Sequence, residues 1–288
     1  MPKNLHCGQF SFALEGPSST HPVVMGILNI TPDSFSDGGR YQGLEFALTH
    51  AEAMIRDGAA MIDIGGESTR PGSPSVPLAE ELARVMPALY ALRTLAVALS
   101  VDTCKPEVMR EAIIAGADMI NDINGFRAPG ALEAVRDSDC GLCVMHMQAT
   151  PQTMQQAPSY ADVVGEVIAF LRERVDAMVG AGIARERICI DPGFGFGKTV
   201  EHNYALLRGL QRIRDELDLP VLVGLSRKSM IGAVTGRPVE QRAAGSVGGA
   251  LAAVAHGARI VRVHDVADTV DALKVWHAAN NGHLEKHD

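Results

Sequence analysis

One phrase recurs along this chain: an apolar run, a polar residue, a loop, an amphipathic helix and, often, Gly-Ala before the next apolar run. The runs fall at 23–28, 61–64, 97–101, 119–120, 142–145, 188–190, 221–225 and 260–263. They are continuously apolar rather than alternating, as parallel strands covered on both faces must be. Helical patterns lie between them, at 44–56, 79–92, 106–115, 160–179, 203–216, 241–255 and 267–277. In the first, Leu44, Ala47, Leu48, Ala51 and Ile55 follow the spacing of three and four that one buried helix face requires. Gly58-Ala59, Gly116-Ala117 and Gly257-Ala258 each precede a strand and put glycine where a helix ends in a left-handed cap.

Eight such units in 288 residues predict an α/β fold, a single closed (β/α)8 TIM barrel. An open doubly wound sheet stays in play, because strand order cannot be read from the pattern. The expected layout is an N-terminal segment over 1–20 with a short capping hairpin near 9–14, the barrel over 21–280, and a loose tail over 281–288. The hydrophobic fraction of 47% is enough for a large core. A formal charge of −8 argues against a general nucleic-acid binder, so an anionic ligand must meet a local basic cluster. The first ten residues lack the apolar core of a signal peptide, and no apolar stretch spans a bilayer, which leads to the expectation of a cytoplasmic protein with no membrane partner. Five scattered cysteines make no disulfide framework, and Cys143 of the Cys140/Cys143 pair falls within an apolar run, as a buried small residue does.

The stretch 188–198, ICIDPGFGFGK, carries the densest local signal. Glycines at 193, 195 and 197 let the backbone approach a ligand, and Phe194 and Phe196 can flank it, which suits a planar polar molecule. It is not a triphosphate loop: that motif needs four residues between its first glycine and Gly-Lys, and position 192 is proline.

In a (β/α)8 barrel the chemistry gathers beyond the carboxyl ends of the strands. Those ends carry Asn29, Glu67, Asp102, Asn121, His146, Asp191, Ser226 with Lys228, and Arg262 with His264. Each alone could be a helix cap or turn residue. Together, Asp102, Asn121, Asp191 and Lys228 offer acceptors, an amide and a donor for a heterocycle with an amino group, ring N–H and carbonyl. Arg262, His264 and Asn29 suit a phosphate or diphosphate tail. Two long loops, from Asn29 and from Gly65-Gly66, hold charged and aromatic residues and read as lids.

The motifs MGILNITPDSFSDGG (25–39), DIGGESTRPG (63–72), SVDTCKPEV (100–108), MINDING (119–125), VMHMQ (144–148), DPGFGFGK (191–198), GLSRKSMIG (224–232) and RVHDV (262–266) resemble, in order and over nearly the whole chain, those of the dihydropteroate synthase family of pterin-binding barrels. The resemblance implies a folate-pathway transferase that joins 4-aminobenzoate to a dihydropterin methyl diphosphate and releases diphosphate. It places Asp102, Asn121, Asp191 and Lys228 in the pterin pocket, with Met145, Phe196 and the side of Arg262 as packing walls. It further implies Asn29 as the residue associated with Mg2+, and Arg262 and His264 on the diphosphate side. Thr69, beside Arg70 and Pro71, matches a ligand-contacting position, Ser226 lies where 4-aminobenzoate is expected, and Phe35 and Asp37 belong to the loop that closes over the site. A homodimer and competition by sulfonamides are implied as well.

As the diphosphate departs, positive charge can develop on the pterin methylene. Asp102, Asp191 and Asp37 would favour that charge, and Arg262 and His264 the leaving anion. Three rivals remain beside this reading: a class I aldolase using Lys228 as a Schiff-base lysine, a pterin-binding methyltransferase of the same barrel type, and a catalytically silent pterin-binding protein. The aldolase leaves the paired acids without a task, and the other two do not need both the long loops and the diphosphate residues.

Overall fold

The computed structural model describes residues 4–14, 22–30 and 39–281. The first lid loop, with Phe35 and Asp37, lies outside the described residues, as do most of the ends expected to be loose. Two short strands, β1 (Asn4–Cys7) and β2 (Phe10–Ala13), pair antiparallel as a hairpin. Eight parallel strands follow: β3 (Val23–Asn29), β4 (Met61–Gly65), β5 (Ala98–Asp102), β6 (Met119–Asp122), β7 (Gly141–Met145), β8 (Ile188–Asp191), β9 (Leu222–Val223) and β10 (Ile260–Val263). Their order is β8-β7-β6-β5-β4-β3-β10-β9, and a parallel bridge from Ile190 to Val221 joins the two ends. The sheet is therefore a closed barrel, which excludes the open doubly wound alternative.

The helices are α1 (Gly39–Arg56), α2 (Leu78–Leu92), α3 (Pro106–Ile114), α4 (Ala131–Val135), α5 (Val163–Gly180), α6 (Val200–Leu217), α7 (Ser229–Thr235), α8 (Ala243–Ala255) and α9 (Val266–Asn281). Their starts follow sequence chemistry. Pro106 occupies the first turn of α3, where its missing N–H has no partner to lose. At α6 the Thr199 side chain accepts from His202 N while the His202 ring accepts from Thr199 N, a capping box. Gly58, Gly116 and Gly257 have φ of 100°, 95° and 103°, the left-handed ends the Gly-Ala pairs predict.

The strands sort their side chains into two sets of period two. Outward-facing residues such as Val24, Leu28, Ile62, Ile64, Leu99, Val101, Ile120, Val144 and Ile190 pack under the helices in the main core. Inward-facing residues change character with height. At the foot, Met25, Met61, Ala98, Met119, Cys143, Cys189, Leu222 and Ile260 form an apolar plug with Leu5, Cys7 and Leu14 from the hairpin segment. One step up, the same rows carry Asp63, Ser100, Asn121, Asp191 and Arg262. The hairpin thus seals one end and polar residues line the other. Among the described residues no helix is long and apolar enough to cross a membrane.

Candidate active site

Parallel register brings the polar positions level. Asn29 pairs with Gly65, Gly65 with Asp102, Asp102 with Asn121, and Met145 with Asp191. Arg262 reaches across the barrel: its Nε is 2.5 Å from Asp63 Oδ2 and an NH2 nitrogen 3.0 Å from Asp102 Oδ2. Two carboxylates thereby grip the Nε/Nη2 edge of the guanidinium, which fixes its plane. Burial works against its charge, but Asp63 and Asp102 outweigh it and push the pKa above the ordinary arginine range. Burial pushes the Asp102 carboxyl up to about 7, with Arg262 opposing and Asp63 and Asp122 adding to the rise.

Asn121 is buried, and its Nδ2 donates to Asp63 Oδ2 at 3.3 Å. Its Oδ1 is buried with no hydrogen-bond partner. A buried amide oxygen without a donor costs free energy, which makes it an acceptor prepared for a ligand.

Beyond β8 the glycine-rich turn folds back on itself. Asp191 Oδ1 accepts from Gly193 N at 2.7 Å. Burial raises the Asp191 carboxyl, opposed by Lys228 and that backbone N–H. Gly193 has φ of 71°, and a Cβ there would lie 1.8 Å from the His146 carbonyl oxygen, so only glycine fits. Lys198, also buried, fills the middle of the turn: its Nζ lies 2.8 Å from Gly193 O, 2.9 Å from Phe196 O and 2.9 Å from His146 Nδ1. Tyr160 and Gln155 add donors to Gly197 O and Gly195 O from outside. Lys228 donates to Phe194 O and stands 4.6 Å from the Phe196 ring centroid. Burial lowers its pKa to about 8, with Asp191 working to keep it charged.

A separate apolar cluster of Ile123, Met145, Met147, Met154 and Phe196 adjoins these polar groups. The expected walls Met145 and Phe196 are both in it. On the β10 side, Ser226 Oγ and His264 Nδ1 are 3.0 Å apart. Burial, then Arg262 and Arg227, lower His264 to about 4, so it is neutral near pH 7, and Arg70 is close enough to add to the effect. The loop that carries Thr69, Arg70 and Pro71 is tied to the loop after β7 through Gly72 N to Pro151 O (3.1 Å) and Gln152 Nε2 to Ser73 O (3.3 Å). Asn29 is exposed at the end of β3. Among the described residues no three His, Cys, Asp or Glu side chains form a metal cluster.

The structure therefore brings Asp102, Asn121, Asp191, Lys228, Arg262, Met145 and Phe196 to one mouth, with Ser226 and His264 on its β10 side. Glu67 and His146, strand-end residues without a sequence-based role, pair with Lys105 and Lys198 respectively. Sequence reasoning missed Asp63, Ile123, Met147 and the part played by Lys198. Asp63 had a signal, an acid inside the apolar run MIDIG, in frame with inward-facing Met61.

A parallel barrel whose mouth sets carboxylates, an unpartnered amide oxygen and a lysine against an apolar wall belongs to a class of barrel enzymes that take a flat polar heterocycle. Residues 25–264 match the family model described as pterin binding enzyme. The dihydropteroate synthase of Haemophilus influenzae is 52% identical over 261 residues, 90% of this chain and 94% of its own. The solved dihydropteroate synthase of Burkholderia cenocepacia, complexed with 7,8-dihydropteroate, is 55% identical with a TM-score of 0.87 over 98% of both chains. That of Xanthomonas albilineans with 4-aminobenzoic acid is 50% identical with a TM-score of 0.90, covering 98% of this chain and 99% of its own. The chain belongs to the pterin-binding enzyme family and, within it, to the dihydropteroate synthases, which are transferases.

Proposed function

We propose that this mouth binds a dihydropterin methyl diphosphate, and above it 4-aminobenzoate, and that its residues divide the work as follows. Asp102, Asn121, Asp191 and Lys228 read the edge of the ring between Met145 and Phe196 on one side and the Arg262 plane on the other. As the bond to diphosphate lengthens, the buried carboxylates of Asp102 and Asp191 favour positive charge on the pterin methylene, in a setting where screening by water is weak. Arg262 and His264 take the departing anion, with Arg70 close to His264. Ser226 positions the amine, so a weak nucleophile meets the carbon without a bimolecular encounter. Thr69 and Pro71 would contact the ligand from the second loop, and Phe35 and Asp37 from the first.

The observation that carries this reading is the buried, unpartnered Oδ1 of Asn121 beside two buried acids and a lysine. Magnesium fits the donor set through Asn29: one hard amide oxygen, with no cluster of three His, Cys, Asp or Glu side chains among the described residues, suits this ion when substrate phosphates supply the remaining oxygens. When bound, it would neutralise charge on the leaving diphosphate.

The barrel over 21–280 would act as one catalytic unit, in a homodimer and in the cytoplasm. Five free cysteines support a reducing compartment, with Cys143 and Cys189 register partners on adjacent strands yet unlinked. Sulfonamides are expected to compete with 4-aminobenzoate. The test is dihydropteroate formation from the two purified substrates with and without magnesium. EDTA should suppress turnover more than it suppresses binding of the pterin alone; equal loss of both would contradict the assignment of the ion to the leaving group.

A further inference from the structure

Asp63 is completely buried and all its bonds run to other side chains of the barrel interior. Oδ1 accepts from Ser100 Oγ at 2.5 Å, while Oδ2 accepts from Arg262 Nε at 2.5 Å and from Asn121 Nδ2 at 3.3 Å. Four strands, β4, β5, β6 and β10, therefore meet at one carboxylate. We propose that Asp63 is a positioning residue that decides which way round the Asn121 amide stands, and so makes the pocket require a hydrogen-bond donor from its ligand at that point. This rests on reading the mouth as a pterin pocket.

The two ends of an asparagine amide have nearly the same shape, and only their hydrogen-bond partners set its orientation. With Nδ2 toward Asp63, the amide donates to an anion. Turned over, its oxygen would face a carboxylate oxygen with no proton between them. Asp63 thus fixes the orientation and leaves Oδ1, the buried unpartnered acceptor, on the other side of the amide. A ligand that presents N–H there is bound; one that presents a carbonyl meets a second acceptor. An ionised aspartate, with no donor of its own, accepts from Ser100, Asn121 and Arg262 at once. The same carboxylate holds the Nε edge of Arg262, so two groups that face the ligand take their pose from one that does not.

The experiment compares two probes, hydroxymethylpterin and its lumazine counterpart, in which oxygen replaces the ring amino group. Affinities are measured by calorimetry on wild type, Asp63→Ala and Ser100→Ala. Wild type should prefer the pterin strongly. Asp63→Ala, which removes the acceptor opposite Asn121, should bind pterin roughly tenfold to a hundredfold more weakly and show a smaller pterin-to-lumazine ratio, because its Asn121 can turn over. Ser100→Ala, which leaves the bond to Asn121 in place, should keep the ratio. A ratio unchanged in Asp63→Ala overturns the proposal, since a purely structural defect weakens both probes alike. Wild type that fails to bind pterin at all overturns the functional reading and this inference with it. Neutron diffraction on wild-type crystals needs no variant: the deuterons on Asn121 Nδ2 should point at Asp63, and an oxygen found there overturns the proposal.

Discussion

Lys198 Nζ lies 2.9 Å from His146 Nδ1, joining the turn after β8 to the end of β7 across 52 residues of chain. The same nitrogen donates to Gly193 O and Phe196 O, so one buried lysine, whose pKa burial pushes well below the ordinary value, sets the shape of the glycine turn that carries Asp191 and the Phe196 wall. Lys198→Met keeps the apolar stem and leaves those carbonyls without their donor. A loss of about 2–3 kcal/mol in urea unfolding is expected, since orphaned buried acceptors carry penalties of this order. Pterin affinity should fall as well, read by calorimetry under conditions where the variant is folded.

His146 gives a prediction in pH. Burial, then the charge of Lys198, lower its pKa to about 2, while the unfolded chain protonates at the ordinary value near 6.5. Its stabilising contribution is therefore complete above pH 6.5 and is lost as pH falls toward 2. The slope approaches about 1.4 kcal/mol per pH unit once the unfolded histidine is charged. His146→Gln removes that titration, so unfolding free energy measured between pH 6.5 and 4 should fall less steeply than in wild type. Parallel curves would mean that His146 charges in the folded protein.

Asp191→Asn keeps the shape of the side chain and an acceptor for Gly193 N, but removes the charge opposite Lys228. Calorimetry should read a pterin affinity lower by about 1.5–3 kcal/mol, the range for hydrogen bonds to charged groups. Unchanged affinity would take Asp191 out of the pocket.

Leu5 is fully buried in the plug beneath the barrel, at the end remote from the mouth. Leu5→Ala should cost about 2–4 kcal/mol of stability, measured by denaturant unfolding, through lost burial and the cavity left behind. At a temperature where the variant stays folded, turnover should match wild type. A specific loss of turnover would show that the foot and the mouth are coupled.

The barrel and most of the mouth were legible in the sequence because continuous apolar runs and strand-end polar residues are local signals. Asp102, Asn121, Asp191 and Lys228 announce themselves where a strand stops. Asp63 and Ser100 do not, because they face inward one step below the ends, and only the register of β4 against β5 sets them side by side. Lys198 was visible as the end of a motif, yet its task depends on the His146 imidazole just beyond β7, which sequence spacing cannot bring near. The seventh barrel strand, expected over 221–225, is only Leu222–Val223, because Gly224 begins the turn toward Lys228. The brief helices α4 and α7 are too short for a periodic pattern to reveal.

With the hairpin stoppering the foot, the described residues form a cup that opens at the mouth. A ligand held against Asn121 and Arg262, just above buried Asp63, would lie beneath anything lodged nearer the rim and would leave only when the space above it had cleared. A molecule that occupied the rim first would bar the floor, so the closed bottom of the vessel leads us to expect the deeper ligand to arrive first.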